Sequence, residues 1–354
     1  MNISYEKSNI DYKSNININY NEMSIVLLGP ADTMNEKCSI INPMSLNNVK
    51  ILYGEKSDLA QAYEQAYTIT KSLNIFTVNC QTVSDYINII NSLIQYDFTF
   101  IVPIGIYLSD TFYNPATLKM QSFAFYYLEA LKNVNSLSTL IMTDKHAELY
   151  EDIDDYLTKM KKMWTTMKRR TGSIHLLTNH GSNLLITLNM LKDVKHSNVI
   201  LSALLASCNL PNYPNSISYI PVYDLDFNDL TGFDDFIYFK YNHMIQSTTV
   251  ENLVNCRAVK DIYKNALIDI LIKKILKAIN LNEYKGKLYN AYTKLQISNK
   301  ITNALKPYVN KLFKSYELIN IGFIKTGPNF GYIYIELSII PFGSIEELKV
   351  VMEV

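Results

Sequence analysis

Short apolar runs alternate with amphipathic helical patterns along residues 24–240, and this alternation limits the possible folds more than any other feature of the chain. A short apolar run predicts a buried strand, whereas apolar residues spaced three and four apart predict a helix. Because a helix between two strands can return the chain to start a parallel neighbour, the order predicts an α/β domain with a mainly parallel sheet. The predicted strands are Ser24–Leu28, Val49–Leu52, Ile75–Val78, Thr99–Pro103, Ser138–Thr143, Ile174–Thr178 and Phe236–Lys240. The predicted helices are Asp58–Ser72, Thr82–Tyr96, Ala116–Val134, Tyr150–Arg170 and Asn198–Cys208.

The pattern changes past Met244, where two predicted helices, Val254–Ile279 and about Leu288–Ala304, precede a run of strands. One of these strands alternates strictly, with Ile333, Ile335, Leu337 and Ile339 on one face and Tyr332, Tyr334, Glu336 and Ser338 on the other. The change of pattern predicts an α/β domain over 23–243 and an α+β domain over 244–343. An extended N-terminal arm (1–22) and a C-terminal strand arm (344–354) complete the predicted organisation.

Both arms have strand potential but no core of their own. Residues 1–22 are rich in Asn and Ser and alternate apolar with polar side chains at Ile16, Ile18 and Tyr20, which predicts an extended segment; a disordered tail is the alternative. Residues 344–354 alternate up to the last residue, and such a strand needs a partner for its backbone groups and for its apolar face. The residues predicted to pair are Ile3, Tyr5, Ile16, Ile18 and Tyr20 in one arm and Leu348, Val350, Met352 and Val354 in the other.

Charge is balanced over the whole chain but uneven along it. Lys and Arg together number 33, and so do Asp and Glu, which excludes the positive excess of a dedicated nucleic-acid-binding protein. Residues 257–314, however, contain twelve Lys and one Arg against three acidic residues. This region predicts a basic face, either solvated or suited to an acidic protein surface or to the acidic segments 144–155 and 224–235 of another copy.

No motif in the sequence predicts a catalytic residue, a cofactor or a metal site. The turn at Gly29-Pro30 lacks the glycine spacing of a phosphate-binding loop and instead predicts the end of a strand. Residues 224–235 match a calcium loop in part, but Asp229 replaces the glycine that the sharp turn of such a loop needs. The serine two residues after His180 lacks the flanking glycines of a nucleophile elbow.

Cysteine spacing, the single tryptophan and hydropathy also indicate an ordinary folded protein. The four cysteines form no CxxC pair, so they predict buried free thiols and neither a zinc site nor a disulfide framework. Trp164 lies in a helix rich in Met and Lys and is predicted to pack into the core. Residues 1–22 lack an apolar signal sequence and no run of about eighteen apolar residues occurs, so we expect assembly in a cytoplasm without direct membrane insertion.

Three segments resemble the sequences of contractile phage tail sheath proteins and of their relatives in R-type bacteriocins and other contractile injection systems. The first is SIVLLGPAD, followed by SIINP and VKILYGEKSDLAQAYEQA. The second is Thr248–Arg257, which leads into the predicted long helix containing Asp261 and Tyr263. The third is the ending GYIYIELSIIPFGSIEELKVVMEV. The resemblance is stronger over 248–354 than over 23–130.

The resemblance implies a structural subunit and not an enzyme. In the family, six-membered rings stack helically around an inner tube, and contraction drives the tube through a target envelope. The terminal arms add strands to neighbouring C-terminal domains, and the corresponding residues here are about Ile3–Tyr20 and Ile345–Val354. The implied partners are other copies of the chain, an inner tube protein, and baseplate and tail terminator proteins. Lys273, Lys274 and Lys277 are then candidates for a basic helix that faces the tube.

Two other interpretations are compatible with the sequence. The chain could form a single closed ring as another tail or baseplate component. It could also be an α/β enzyme or nucleotide-binding module whose site is built from loops. Under the sheath interpretation, the protein assembles in the bacterial host cytoplasm and becomes part of a virion tail or of a released tail-like particle.

Overall fold

An eight-stranded sheet is the centre of the larger of two structural units in the computed structural model. The larger unit comprises residues 1–207 and 214–266, and the smaller unit comprises residues 208–213 and 267–354. The structure describes residues 23–33, 37–94, 96, 98–114, 117–133, 138–171, 184–207, 216–217, 220–223, 236–242, 247–252, 271, 274–275, 278–279, 283–284, 287–310, 313–323 and 333–341.

Six neighbouring strands of the sheet are parallel, as the alternation of strands and helices predicts. The strands of the larger unit are β1 (Ile25–Gly29), β2 (Ile75–Asn79), β3 (Phe100–Pro103), β4 (Thr111–Asn114), β5 (Lys119–Ser122), β6 (Thr139–Thr143), β7 (Leu184–Thr187), β8 (Ser216–Ile217), β9 (Ile237–Asn242) and β10 (Ser247–Asn252). The sheet order is β2-β1-β3-β6-β7-β9-β10-β8, with β10 and β8 antiparallel to their neighbours. The predicted α/β class is therefore confirmed, and β10 extends this sheet with the first residues of the segment Thr248–Arg257.

Six described helices belong to the larger unit, and one of them corrects a predicted strand. They are α1 (Leu46–Tyr53), α2 (Asp58–Thr70), α3 (Val83–Leu93), α4 (Phe123–Asn133), α5 (Ile153–Thr171) and α6 (Ser197–Ala206). The strand predicted at Val49–Leu52 is wrong because these residues lie in α1. The Ser45 side chain accepts a hydrogen bond from the backbone N–H of Asn48 and so caps this helix.

A hairpin of β4 and β5 occupies the start of the helix predicted at Ala116–Val134, which therefore begins only at Phe123. Leu118 has a φ of 53° in the turn between the two strands, a conformation that no right-handed helix contains. Tyr113 lies opposite Met120 across the hairpin. The predicted strand at Ile174–Thr178 lies outside the described residues.

Helices cover both faces of the sheet around β1. Val26 and Leu28 point into a core formed with α3, α4 and α5, which includes Trp164. The Trp164 ring meets Phe236 edge to face at 5.3 Å and is almost fully buried, which confirms its predicted core position. Residues of α2 and α6 are absent from this cluster; these two helices pack against each other and against β1. Because successive side chains of a strand alternate between faces, Leu27 points to this second helical layer.

The smaller unit combines helical segments with an antiparallel strand pair. It contains α7 (Ala291–Leu305), β11 (Phe313–Phe323) and β12 (Ile333–Pro341). Residues Leu271, Ile275 and Ile279 are helical, and their side chains share a core with α7 and β11. The α+β character predicted for the C-terminal part is thus confirmed. Its core consists of Leu271, Ile275, Ile279, Tyr284, Ile297, Ile301, Leu305, Phe313 and Ile321.

Candidate assembly surfaces

The residues predicted for assembly fall largely outside the described part of the chain. All the named arm residues lie there, as do Lys273, Lys277 and the partial calcium loop at 224–235. Lys274 is described, and its ammonium donates a hydrogen bond to the Tyr308 hydroxyl and lies 4.2 Å from the centroid of that ring. Lys274 therefore directs its charge to an aromatic ring of its own unit, and contact with a tube stays a prediction.

β11 and β12 form a two-stranded ribbon in the smaller unit. Their register runs from Phe313 opposite Pro341 to Phe323 opposite Ile333. Within the described residues, each strand forms a ladder only with the other, apart from a single bridge between Val309 and Phe313. The outer edge of such a ribbon presents N–H and C=O groups that another extended segment can pair with, and a two-stranded ribbon is only marginally stable by itself.

The inner face of β12 is only partly covered within the chain. Its apolar residues Ile333, Ile335, Leu337 and Ile339 are all half-buried, whereas Tyr334, Glu336 and Ser338 are exposed, which confirms the predicted two-residue alternation. On β11, by contrast, Phe313 and Ile321 are fully buried. Strand edges without a ladder partner among the described residues, next to half-covered apolar residues, are the features expected of a sheet that receives further strands.

A glycine on β11 receives the ring of a tyrosine on β12. Gly322 and Tyr334 are cross-strand partners, and a Cβ added at residue 322 would overlap the Tyr334 ring. Asn320 donates a side-chain hydrogen bond of 3.0 Å to the Tyr334 hydroxyl, which holds the ring across the ribbon. An aromatic ring over a cross-strand glycine replaces the side-chain contact that glycine lacks.

The start of α7 carries an exposed surface that combines apolar and basic side chains. We call it the α7 face and define it as Lys287, Leu288, Tyr292, Lys294 and Leu295, all of which are exposed. Tyr292 and Leu295 are three residues apart in the helix and therefore neighbours on its surface. The helix begins after Asn290, whose side chain accepts a hydrogen bond of 2.9 Å from the N–H of Thr293.

An open depression of about 750 Å³ adjoins the α7 face. Its wall includes Tyr289, which stacks on Phe323 at 5.3 Å and donates a hydrogen bond of 2.6 Å to the carbonyl oxygen of Ile321. The lining consists of residues 287–291, Lys294 and Phe323. Two lysines and no carboxylate contribute to this lining, so the depression favours an acidic partner over a basic one.

The carboxyl ends of β1 and β3 are where an α/β protein of this strand order would bind a ligand. Gly29 ends β1 here, as predicted, and a Cβ at residue 29 would stand 3.0 Å from the Cβ of Ile104. A Cβ at Gly105 would likewise meet Pro30 at 3.5 Å. The Tyr86 hydroxyl donates a hydrogen bond to the carbonyl of Ile104. Among the described residues this region is filled by close contacts within the chain, an arrangement that disfavours a nucleotide site there.

One buried histidine lies between the starts of α2 and α6. His196 is 6% exposed, and neither ring nitrogen has a hydrogen-bond partner among the described residues. Lys195 beside it forms an ion pair of 3.0 Å with Asp58 at the start of α2. Burial, with smaller contributions from Lys195 and His146, lowers the pKa of His196 to about 4 against the opposing effect of Asp58. A neutral imidazole in this setting is a core residue, and no described group of three His, Cys, Asp or Glu residues is arranged to hold a metal.

None of the helices that the structure describes is long and apolar enough to cross a bilayer. No protein-family model matches the sequence, and no curated protein sequence matches it significantly.

Several solved structures are similar to the chain over nearly its whole length. A chain in the 6-fold symmetrised cryo-EM structure of the anti-feeding prophage baseplate has a TM-score of 0.60 at 8% identity, covering 100% of this chain and 98% of that one. The sheath tail protein from Desulfitobacterium hafniense has a TM-score of 0.58 at 10% identity, with 96% and 97% covered. The sheath tail protein from Listeria innocua has a TM-score of 0.57 at 9% identity, with 90% and 95% covered. The chain thus has the fold of contractile tail sheath proteins, which confirms at the level of the fold the resemblance found in the sequence.

Proposed function

We propose that the chain is the structural subunit of a contractile tail sheath. The observation that carries this proposal is the likeness in fold to two sheath tail proteins across 96% and 90% of the chain. Copies stack as six-membered rings around an inner tube, and contraction drives the tube through a target envelope. The role is mechanical and requires no catalytic residue.

Strand exchange by the terminal arms holds the copies together in this proposal. Residues 1–22 and 344–354 have alternating sequences, and the ribbon of β11 and β12 has outer edges and a half-covered apolar face that could receive them. A strand donated to the next copy is a contact between two different surfaces. Repetition of such a contact produces a ring if the rotation closes and a helical polymer if it does not.

Strand exchange by the arms is also compatible with large rearrangements of the copies. If each copy moves as a rigid body, the arms can keep neighbours connected while rings rotate and slide. The inner tube, the baseplate and a terminator protein are the further partners. Lys273 and Lys277, with Lys274 beside them, are the candidates for contact with an acidic tube surface.

A second function is favoured by one comparison. The similar chain from the anti-feeding prophage is part of a baseplate, so this chain could instead form one closed ring at the end of a tail. In either case the protein assembles in the cytoplasm of a bacterial host and becomes part of a virion tail or a released tail-like particle.

Electron microscopy of the purified full-length chain, alone and with a co-expressed tube protein, tests the proposal. We expect hollow helical tubes of stacked rings. Variants lacking residues 1–20 or 344–354 should remain folded by circular dichroism and fail to polymerise. Tubes formed by the truncated variants would contradict strand exchange, and single closed rings of the full-length chain would favour the baseplate function. Saturable stabilisation by a nucleotide in a thermal-shift screen would instead support the enzyme interpretation.

A further inference from the structure

We propose that the α7 face docks on an acidic surface around Leu149 of another copy of the chain. This inference rests on the proposed function because it identifies one contact within the assembly. The acidic surface, which we call the Leu149 surface, consists of Glu148, Leu149, Glu151 and Asp154, all of them exposed.

The α7 face has the composition of a surface that is covered in the working state of the protein. Leu288 is 83% exposed, and Tyr292 and Leu295 extend the apolar area along the helix. Clustered apolar side chains of this size on a surface mark interaction sites, whereas single ones need no explanation. Aromatic residues such as Tyr292 are also enriched at the centres of interfaces.

The charge next to this apolar area is not neutralised in the described part of the chain. No ion pair of Lys287 or Lys294 occurs there, although the Lys287 ammonium lies 5.2 Å from the ring centroid of Tyr284. Glu283, the nearest carboxylate in sequence, is already paired with Lys300 at 2.5 Å. An occupant with carboxylates would therefore gain two ionic contacts at the rim of an apolar centre.

The Leu149 surface offers the complementary pattern. Leu149 is 71% exposed and has Glu148 and Glu151 on either side of it in the sequence. The two neighbouring carboxylates already have partners. Asp152 accepts a hydrogen bond of 2.8 Å from the backbone N–H of Asp155, and the Asp155 carboxylate forms an ion pair of 2.6 Å with Lys159.

Among the described residues, Glu151 and Asp154 form no ion pair, and the one ion pair of Glu148 is with His146, at 3.7 Å. The Leu149 surface thus has an apolar centre and uncompensated negative charge, which is the inverse of the α7 face.

A second copy is the occupant that this complementarity favours. Each surface is exposed in the isolated chain and therefore available to another copy. The two surfaces belong to different structural units, residues 267–354 and residues 1–207, and a contact between them is heterologous. A heterologous contact adds copies in one direction, which is the geometry that rings and helical stacks require.

Charge reversal on each surface tests the contact in the full-length protein. The basic-side variant carries Lys287→Glu and Lys294→Glu, and the acid-side variant carries Glu148→Lys and Glu151→Lys. The acidic residues chosen precede α5, so their reversal leaves the first turn of that helix intact. A control variant with Lys56→Glu and Lys119→Glu has the same charge change as the basic-side variant, at two other exposed lysines. Circular dichroism and the thermal midpoint establish that all variants are folded.

Sedimentation velocity and negative-stain images then measure self-association. We expect each single-sided variant to lose at least tenfold in assembled material, while the control variant assembles as the wild type does. An equimolar mixture of the two single-sided variants should assemble again, because each then offers the surface that the other lacks. The variant with all four reversals should assemble alone.

Failure of both the mixture and the fourfold variant to assemble would overturn the contact. Normal assembly of the acid-side variant beside a defective basic-side variant would also overturn it, since the α7 face would then dock on a different surface of the other copy. A wild-type chain that stays monomeric contradicts both this contact and the proposed function. Closed rings with rescue by the mixture would support the contact while refuting a helical sheath, so the two failures are distinguishable.

Discussion

His196 is expected to make the larger unit less stable as the pH falls from 7 to 5. Its ring is buried beside Lys195 at the start of α6, without hydrogen-bond partners among the described residues. Asp58, Lys195 and His146 are the charged or titratable groups that act on it. Protonation therefore introduces a buried charge whose one favourable neighbour among the described residues is the carboxylate of Asp58, which is already paired with Lys195 at 3.0 Å.

The sign and size of the effect follow from the difference between the pKa values of the two states. In the unfolded chain His196 has a pKa near 6.5, whereas burial lowers the pKa in the folded state to about 4. Between these values the unfolded state binds the proton and the folded state does not, so the free energy of unfolding decreases as the pH falls through 6.5. The loss is about 2 kcal/mol at pH 5 and approaches about 3 kcal/mol near pH 4.

Urea unfolding of the wild type and of the His196→Asn variant at pH 7.5 and pH 5 measures this loss. Asparagine suits the N-cap position of a helix and does not titrate, so the variant removes the proton linkage and leaves a residue that is favourable at this position. All other titrating groups are common to both proteins and cancel in the comparison. We expect the wild type to lose about 2 kcal/mol more than the variant between the two pH values.

A His146→Asn variant is the control, because the His146 ring contacts the carbonyl of Leu191 at 2.7 Å and leaves His196 in place. This control should keep most of the pH dependence of the wild type. Equal pH dependence of the wild type and the His196→Asn variant, within about 0.5 kcal/mol, would refute the reasoning, since it would mean that the buried ring is solvated or paired in solution.

Three further predictions concern the core and the ribbon. Tyr156→Phe should lower the free energy of unfolding by about 1–3 kcal/mol in urea titrations, because the Tyr156 hydroxyl accepts a hydrogen bond of 2.9 Å from the buried N–H of Asn189. Tyr150→Phe is the control. An equal loss of stability from both changes would contradict this cause. Trp164→Ala should lower the free energy of unfolding by about 3–5 kcal/mol and lower the thermal midpoint, because the ring is 2% exposed and packs against Phe236. A loss of stability below about 1 kcal/mol would show that the ring is not a core residue. Gly322→Val should displace the Tyr334 ring and lower the free energy of unfolding by about 0.2–1 kcal/mol, the usual contribution of a cross-strand pair. The displacement of the ring should change the NMR signals of Tyr334. The control Ser338→Val, at an exposed position of β12, should leave those signals unchanged.

The elements with strong periodicity were predictable from the sequence. The helix predicted at Asp58–Ser72 is α2, Asp58–Thr70, and the strand predicted at Thr99–Pro103 is β3. The capping box of Thr82 and Asp85 begins α3 close to the predicted start. In these cases local hydrogen bonding and the burial of one face favour the same conformation, so the local pattern is sufficient.

Not every short apolar run was predictable, because a strand and a helical turn can bury the same four residues. Val49–Leu52 has the pattern of a strand, but the cap provided by Ser45 makes it part of α1. β7 at Leu184–Thr187 was not predicted; all four of its residues are buried, so its sequence shows no alternation of apolar and polar side chains.

The positions of the lysines in the basic region were predictable from the sequence, but the directions of their side chains were not. The excess of lysine over 257–314 is visible in the sequence, yet Lys274 packs on Tyr308 while Lys287 and Lys294 are exposed beside Leu288. Sequence spacing alone does not distinguish these lysines, because the direction of each depends on which helix face the core covers.

The sequence by itself determined the α/β alternation, the α+β character of the C-terminal part and the two-residue period of β12, because each of these depends on residues that are neighbours along the chain. Only the tertiary structure decided the strand order with β1 between β2 and β3, the half-covered face of the ribbon and the burial of His196. Each of these depends on which distant segments come together. Pairing, burial and charge at such contacts are properties of the packed molecule, and they are not encoded by any single stretch of residues.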